Sequence, residues 1–337
     1  MISNSEYRPI LDLLVCPECK VGLRAQEDKL ICSNCNSEFT GSNGIYNMIG
    51  GQLSRHDLEQ QRVADETCAG YHKFLITRPL YGLIRDKYVL PYWLKDNFDG
   101  KSILDIGSGT GWSTCVIAAR ASMLVNLDIS LERLRFAKAR LEAQNVIYVQ
   151  GDMKKTPFPD KKFDIILSYG SLHHLDNPET AIAEIGRVMN KNGVFLAIEP
   201  NIKFTWVEFW NEILHLPKPL EKRITNLYKV AQKYTKKQLE KEQPYLKNIK
   251  SKEELHEGTR DIDWYKNMFA KFSFKLEYQP VGLEMVPPRL LMSKNRILVE
   301  SLLKCSEWCI NRFKKEKNAY FNIMRATRDT DGATTAK

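Results

Sequence analysis

The sequence predicts an α/β protein whose main domain is a doubly wound parallel sheet, preceded by a small metal-stapled unit. Two observations predict the sheet. Between residues 101 and 200, short apolar runs alternate with helical periodicity, a pattern that builds a parallel sheet covered on both faces. The first run, Ile103-Leu104-Asp105-Ile106, ends in Gly107-Ser108-Gly109-Thr110-Gly111-Trp112, a bare turn that enters a helix. A third observation predicts the leading unit. Cys16-Pro17-Glu18-Cys19 and Cys32-Ser33-Asn34-Cys35 stand within residues 1–50, too short a stretch to bury a large core unaided.

The elements follow in order. In residues 1–50 the pattern is C-x2-C-x12-C-x2-C. Two such knuckles aim four thiolates, Cys16, Cys19, Cys32 and Cys35, at one ion and make a closed tetrahedral zinc site. Four ligands leave no open position, so the zinc is expected to be structural and to fold the unit. Disulfides or a redox pair are the alternatives, and the lack of an export signal speaks against them. Residues 51–100 read as a helical linker or lid, polar first and then aromatic (Tyr71, Phe74, Tyr81, Tyr88, Tyr92, Trp93), closed by a turn at Asn97-Phe98-Asp99-Gly100.

Strands are predicted at 101–106, 123–128, 145–150, 163–168 and 193–199. Helices are predicted near 112–120, 130–143 and 178–190, the last starting at Pro178 behind Asp176-Asn177. Residues 201–270 read as a helical insert rich in Lys, Glu and aromatics. Two more strands are expected at 272–280 and 319–327, around a second insert at 281–318. That insert holds a long apolar helix, about 289–315, whose stripe Leu298, Leu302, Cys305, Cys309 and Phe313 is expected in the core. Residues 329–337 read as a frayed tail.

With 337 residues, 43% hydrophobic and 27% charged, the chain suffices for one large core plus a satellite. No apolar run resembles a signal peptide or reaches the roughly 18 residues of a spanning helix, so a soluble cytoplasmic protein is expected. The net charge of +9 is uneven: −2 over residues 1–100, +1 over 101–200 and +10 over 201–337. The basic C-terminal part suits RNA, an anionic membrane surface or an acidic small molecule, and equally a solvated helical face. Arg312, Lys314, Lys315 and Lys317 suit the negative end of the long helix's dipole, or a peripheral membrane contact.

The glycine turn carries the chemistry. Without a Cβ, Gly107, Gly109 and Gly111 let a ligand's charged end approach main-chain N–H groups. The nicotinamide fingerprint G-x-G-x-x-G would need glycine at Trp112, so the loop is of another type. Asp105 precedes the loop. Asp128 and Ile129 end the second run, Gly151-Asp152-Met153 the third, and Ser168-Tyr169-Gly170 the fourth. All sit at C-terminal strand ends, where open α/β sheets bind ligands, and the spacing of Asp128 suits a ribose. The pattern points to a nucleoside-cofactor binder; glycines placed only for tight packing would leave the coincident acids unexplained.

On these motifs the chain resembles the class I S-adenosylmethionine-dependent methyltransferases, nearest the ubiquinone/menaquinone-type small-molecule branch. The resemblance implies a Rossmann-like seven-stranded sheet with an antiparallel last strand. It implies that Asp105 and Gly107, Ser108, Gly109 and Gly111 face the methionine part of the cofactor. Asp128, with Ile129 beside it, would take the ribose, Asp152 and the main chain of Met153 the adenine, and Ser168 and Tyr169 would flank the methyl group. A sulfonium methyl is already activated, so transfer needs mainly alignment and exclusion of water. An alcohol or phenol acceptor wants a base, for which His173 and His174 are the candidates; the alternative is a helix cap or a packing role. Glu199 and Asn201 face the same cleft. The first 50 residues resemble the zinc ribbon fused to many bacterial methyltransferases. They are also similar to the small ribbon protein that activates tRNA methyltransferases and to the ribbon of rRNA guanine methyltransferases, whose ligand set contains a histidine. Three functions follow: methyl transfer to a small-molecule, lipid or sugar acceptor, methylation of RNA, or a non-catalytic activator subunit. Phe204, Trp206, Phe209, Trp210, Trp264 and Tyr265 suit an apolar or planar acceptor.

Overall fold

The computed structural model describes residues 10–201, 260–283, 293–313 and 319–328, with isolated positions between 218 and 226. Most of the insert expected at 201–270 lies outside the described residues, including Phe204, Trp206, Phe209 and Trp210. So do Lys314, Lys315, Lys317 and the tail 329–337.

The first strands are short: β1 (Leu23–Gln26), β2 (Lys29–Cys32), β3 (Glu38–Ser42) and β4 (Ile45–Asn47). They form an antiparallel meander. Lys20 and Asn36, each just after a cysteine pair, take positive φ (59° and 57°), which turns each knuckle back on itself. Four helices follow. These are α1 (Arg55–Thr77), α2 (Pro79–Ile84), a π turn at Arg85–Val89 and α3 (Leu90–Trp93). Ser54 caps α1, its Oγ accepting the N–H of Asp57 at 3.1 Å.

The alternating region folds as predicted. Its strands are β5 (Ser102–Ile106), β6 (Met123–Asp128), β7 (Val146–Gln150), β8 (Phe163–Tyr169) and β9 (Met189–Pro200). Between them run α4 (Thr114–Ile117), α5 (Leu131–Arg140) and α6 (Pro178–Val188). Then come α7 (Ile262–Lys271), β10 (Phe274–Leu283), α8 (Arg296–Phe313) and β11 (Ala319–Arg328). β5 to β9 pair in parallel, and β11 inserts antiparallel between β9 and β10. The seven-stranded sheet expected from the resemblance is therefore present.

The sheet does not stop at β7. β4 pairs with it in parallel, Ile45 opposite Tyr148 and Asn47 opposite Gln150, so the described strands make one eleven-stranded sheet in the order β1-β2-β3-β4-β7-β6-β5-β8-β9-β11-β10. The core is shared as well. Leu13, Leu14, Leu30, Phe39 and Met48 belong to the same buried cluster as Leu104, Leu127, Phe158, Ile182 and Phe195. The opposite face packs Ile103, Leu124, Ile165, Leu196 and Ile323 against Leu80, Leu83, Trp93, Val299 and Leu303.

The stripe predicted for α8 is out of phase. Val299, Leu303, Ser306 and Cys309 are buried, while Cys305 and Leu298 face outward. The apolar residues 298, 302, 305 and 309 and the true inward set overlap only in part, because contact with β10 and α2 turns the helix by about one residue's rotation. No helix among the described residues is long and apolar enough to cross a membrane.

Candidate cofactor and acceptor site

The C-terminal ends of β5 to β9 carry the predicted residues, and the local chemistry explains how each is held. Asp105 stands one residue before the end of β5, fully buried. Its Oδ2 accepts from Ser113 Oγ and Thr114 Oγ1, both at 2.8 Å, while Oδ1 has no partner among the described residues. Burial raises its pKa to about 6. Ser108 Oγ is likewise buried without a partner. Two buried polar atoms beside and within the loop, without partners among the described residues, are what a polar ligand such as an amino-acid moiety would complete.

Gly107 has φ 68°, and a Cβ there would stand 2.5 Å from Ser171 Cβ. Gly109 has φ 55° with open space where a Cβ would go, and its N–H donates to Asp128 Oδ2 at 2.7 Å. The other oxygen of Asp128 accepts from the N–H of Ser130 at 2.8 Å. Burial pushes the Asp128 carboxyl up. Each oxygen keeps a lone pair for a ribose hydroxyl. The Ile129 carbonyl accepts from Gln61 Nε2 and Gln150 Nε2 at 3.0 and 3.1 Å.

Asp152 follows β7, half-buried, with Oδ1 accepting the N–H of Lys154 at 2.8 Å; burial raises it. The Met153 methyl lies close against Gly107. At the end of β8, Ser168 Oγ and Ser171 Oγ are 2.6 Å apart, and Ser171 Oγ donates to the Ile106 carbonyl at 3.2 Å. Tyr169 meets Trp93 edge-on at 6.2 Å, and burial raises its phenol.

The two histidines differ. His173 is buried on the 3-10 turn Leu172–His174, and its Nδ1 lies 2.7 Å from Glu199 Oε2. Glu199, fully buried on β9, also accepts the N–H groups of Ser171 (3.1 Å), Leu172 (2.9 Å) and His173 (3.3 Å). Its carboxylate thus caps the turn and orients the ring. His174 tilts against that ring at 4.1 Å, and its carbonyl accepts from His56 Nε2 at 2.8 Å.

Several groups around the site escaped the sequence reading. On α1, Gln61 reaches Ile129, Asp65 accepts Ser130 Oγ at 2.5 Å, and His72 Nδ1 lies 3.2 Å from Thr110 Oγ1. Lys154 Nζ bridges Asp57 (2.7 Å) and Asp176 (3.0 Å), tying α1 to the loops after β7 and β8. The Arg85 guanidinium lies 4.3 Å over the Trp112 ring. Gln61, Asp65 and His72 are polar residues on a helix of weak apolar periodicity, and only the fold brings them to the strand ends.

In the N-terminal meander, Cys16 Sγ lies 3.7 Å from Cys19 Sγ and from Cys35 Sγ, and Cys19 Sγ lies 3.8 Å from Cys32 Sγ. All four sulfurs fall within 4.8 Å of one another. A tetrahedron with zinc–sulfur bonds of about 2.3 Å has edges of about 3.8 Å, so the donor set fits that ion. The meander and the residues before it are bonded to the segment after β7. The N–H of Val15 donates to the Pro157 carbonyl (2.9 Å), and Lys20 Nζ to the Thr156 carbonyl (3.1 Å) and Glu184 (3.0 Å). The N–H of Met48 donates to the Gln150 carbonyl (2.7 Å).

Residues 104–197 match the family model described as a methyltransferase domain. The chain is 28% identical over 121 residues to a fatty-acid O-methyltransferase of Mycolicibacterium smegmatis, covering 35% of this chain and 44% of that one. It is 36% identical over 107 residues to a ubiquinone/menaquinone biosynthesis C-methyltransferase of Stutzerimonas stutzeri, covering 30% and 42%. The matched stretch thus spans less than half the length of these relatives. Among solved structures, a phospholethanolamine N-methyltransferase 2 of Haemonchus contortus, bound to phosphomonomethylethanolamine and S-adenosylhomocysteine, shares the fold. It has a TM-score of 0.51 at 15% identity, covering 82% of this chain and 60% of that one. Sheet order, glycine loop, strand-end acids and family match agree that residues 104–197 are a methyltransferase domain of the S-adenosylmethionine-dependent kind.

Proposed function

We propose that the chain transfers a methyl group from S-adenosylmethionine to a small-molecule, lipid or sugar acceptor. The observation that carries this reading is the convergence of Asp105, the Gly107–Gly111 loop and Asp128 at the C-terminal ends of β5 and β6, with buried polar atoms at Asp105 and Ser108 that have no partner among the described residues. The relatives whose names specify fatty-acid and quinone substrates support a small-molecule acceptor. Asp105, Gly107, Ser108, Gly109 and Gly111 would receive the methionine end, Asp128 and Ile129 the ribose, Asp152 and Met153 the adenine, with Ser168 and Tyr169 beside the methyl group. The bound cofactor supplies an activated sulfonium methyl. The protein's part is to hold it in line and keep water out, which α1 and its Lys154–Asp57 tie serve. His173 is the residue placed to accept a proton, and His174 supports its ring. Cys16, Cys19, Cys32 and Cys35 hold a structural zinc. On this reading residues 1–50 are the ribbon, 51–100 the lid and 101–328 the catalytic domain.

Calorimetry with S-adenosylhomocysteine tests the pocket; a well-folded protein that gives no heat refutes it. Methyl-labelled S-adenosylmethionine, incubated with protein and cell extract, tests the acceptor. Label is expected in the lipid or small-molecule fraction. Label in RNA would overturn that assignment, and cofactor binding without turnover on any fraction would leave an activator subunit.

A further inference from the structure

Asn322 is a buried polar residue near the strand ends to which nothing above gives a role. It lies on β11, opposite Glu199 of β9 and Pro280 of β10. Directly opposed residues share a face of the sheet, so its side chain stands beside that of Glu199, with Cβ atoms about 5 Å apart. It is 1% exposed, and among the described residues neither its Oδ1 nor its Nδ2 has a hydrogen-bond partner. A buried amide with both ends unmet is destabilising, and folded proteins keep one where something else completes it. Packing alone would be served better by a leucine of similar size.

The neighbouring pair has a free end too. The Glu199 carboxylate accepts from His173 Nδ1, which places the ring proton there and leaves the lone pair on Nε2. Among the described residues Nε2 has no partner. Gly170, at the turn after β8, adds no side chain against the ring: a Cβ there would sit 3.8 Å from His173 Cε1.

We propose that Asn322, Glu199 and His173 form one acceptor subsite that takes a hydroxyl-bearing molecule, an alcohol or a phenol. This rests on the methyl-transfer reading above. The Asn322 amide holds a polar oxygen group of the acceptor as paired donor and acceptor. The hydroxyl oxygen forms its bond to the methyl carbon as the carbon–sulfur bond breaks and sulfur keeps the electron pair. His173 Nε2 takes the hydroxyl proton, and the Glu199 carboxylate stabilises the imidazolium. In these terms His173 is the catalytic base, Glu199 its positioning residue and Asn322 a binding residue.

The test uses the full chain, S-adenosylmethionine carrying a CD3 group, and an organic-solvent extract of the source cells. Mass spectrometry of the product is expected to find CD3 on oxygen. Asn322→Leu is expected to keep S-adenosylhomocysteine affinity within about twofold and to unfold at or above the wild-type temperature, since it removes an unmet buried amide. The acceptor concentration for half-maximal rate is expected to rise roughly tenfold or more. Asn322→Ala is the second variant should leucine overfill the site. His173→Gln is expected to keep cofactor affinity and lose about 100-fold in turnover. CD3 on nitrogen or carbon, no labelled product from a wild type that binds S-adenosylhomocysteine, or wild-type half-saturation in both Asn322 variants would each overturn the subsite. Failure of the wild type to bind S-adenosylhomocysteine would instead overturn the methyl-transfer reading.

Discussion

Replacing Gly107 with alanine separates two demands on the glycine loop, tight packing and cofactor approach. At φ 68° any side chain is strained, by about 1–2 kcal/mol. The added Cβ would also stand 2.5 Å from Ser171 Cβ and 2.7 Å from its Oγ, inside a closed knot formed by Ser168, Ser171 and the Ile106 carbonyl. Ser171 cannot retreat without breaking both bonds, so overpacking adds about 1–3 kcal/mol. Gly107→Ala is therefore expected to destabilise by about 2–5 kcal/mol. Gly109 and Gly100 provide the comparison. Their φ values are 55° and 70°, and neither would bring a Cβ within 4 Å of another atom, so each substitution shows strain alone, about 1–2 kcal/mol. Gly100 precedes β5 at the far end of the sheet, whereas Gly109 faces the space assigned to the cofactor. Urea unfolding ranks the three stabilities, and calorimetry with S-adenosylhomocysteine measures binding. Gly100→Ala is expected to bind as wild type does, and Gly109→Ala about tenfold or more weaker. The reasoning fails if Gly107→Ala is no less stable than Gly100→Ala, or if Gly109→Ala binds at full strength.

Three further outcomes follow from other parts of the molecule. Fresh protein is expected to hold about one zinc per chain, and chelation to lower both melting temperature and S-adenosylhomocysteine affinity, because Val15, Lys20 and Met48 brace residues 150–157; metal analysis below half an equivalent would refute it. Glu184 is partly buried, which alone would raise its pKa, but its bonds to Arg187 and Lys20 hold it down to about 2, against 4.5 unfolded. A depressed carboxyl stabilises the fold above its unfolded value, so about 1–2 kcal/mol, after screening by solvent, is expected to disappear as pH falls from 4.5 toward 2, and Glu184→Gln should flatten that limb of a stability–pH curve. Asp105 is shifted the other way, from 3.8 to about 6 by burial, so its charged form opposes folding as pH rises through that window. Asp105→Asn is therefore expected to add on the order of 2 kcal/mol at pH 8 while weakening S-adenosylhomocysteine binding, and a variant less stable than wild type at that pH would contradict the assignment.

Much of this arrangement is legible in the sequence, for identifiable reasons. Strands buried on both faces are continuous apolar runs, which is why β5 through β9 are visible, and their C-terminal residues are the ones the parallel pairing brings to one end of the sheet. The knuckle spacing is equally local. What is not legible depends on contact between distant positions. The pairing of β4 with β7 joins Ile45-Tyr46-Asn47 to residues about 100 positions later, and three residues carry no period. Glu199 and His173 are 26 residues apart, so each reads alone as a strand-end acid or a turn histidine. Gln61, Asp65 and His72 sit on a helix whose inward side mixes polar residues with Ala64, Cys68 and Leu75, so no clean apolar stripe marks it. In α8 the composition was read correctly but the rotation was not, because contact with neighbouring elements selects among overlapping stripes.

The parallel pairing of β4 with β7 has a consequence for the molecule's solubility. Without it, β7 would present a bare row of N–H and C=O groups along its rim, a template on which a second copy could dock strand to strand. The cysteine-stapled meander occupies that row and replaces it with the four-residue β1, too short to recruit a neighbour well. Stripping the leading 50 residues would thus do more than remove a cysteine cluster: it would leave self-association as the easiest way for the remaining sheet to satisfy its backbone.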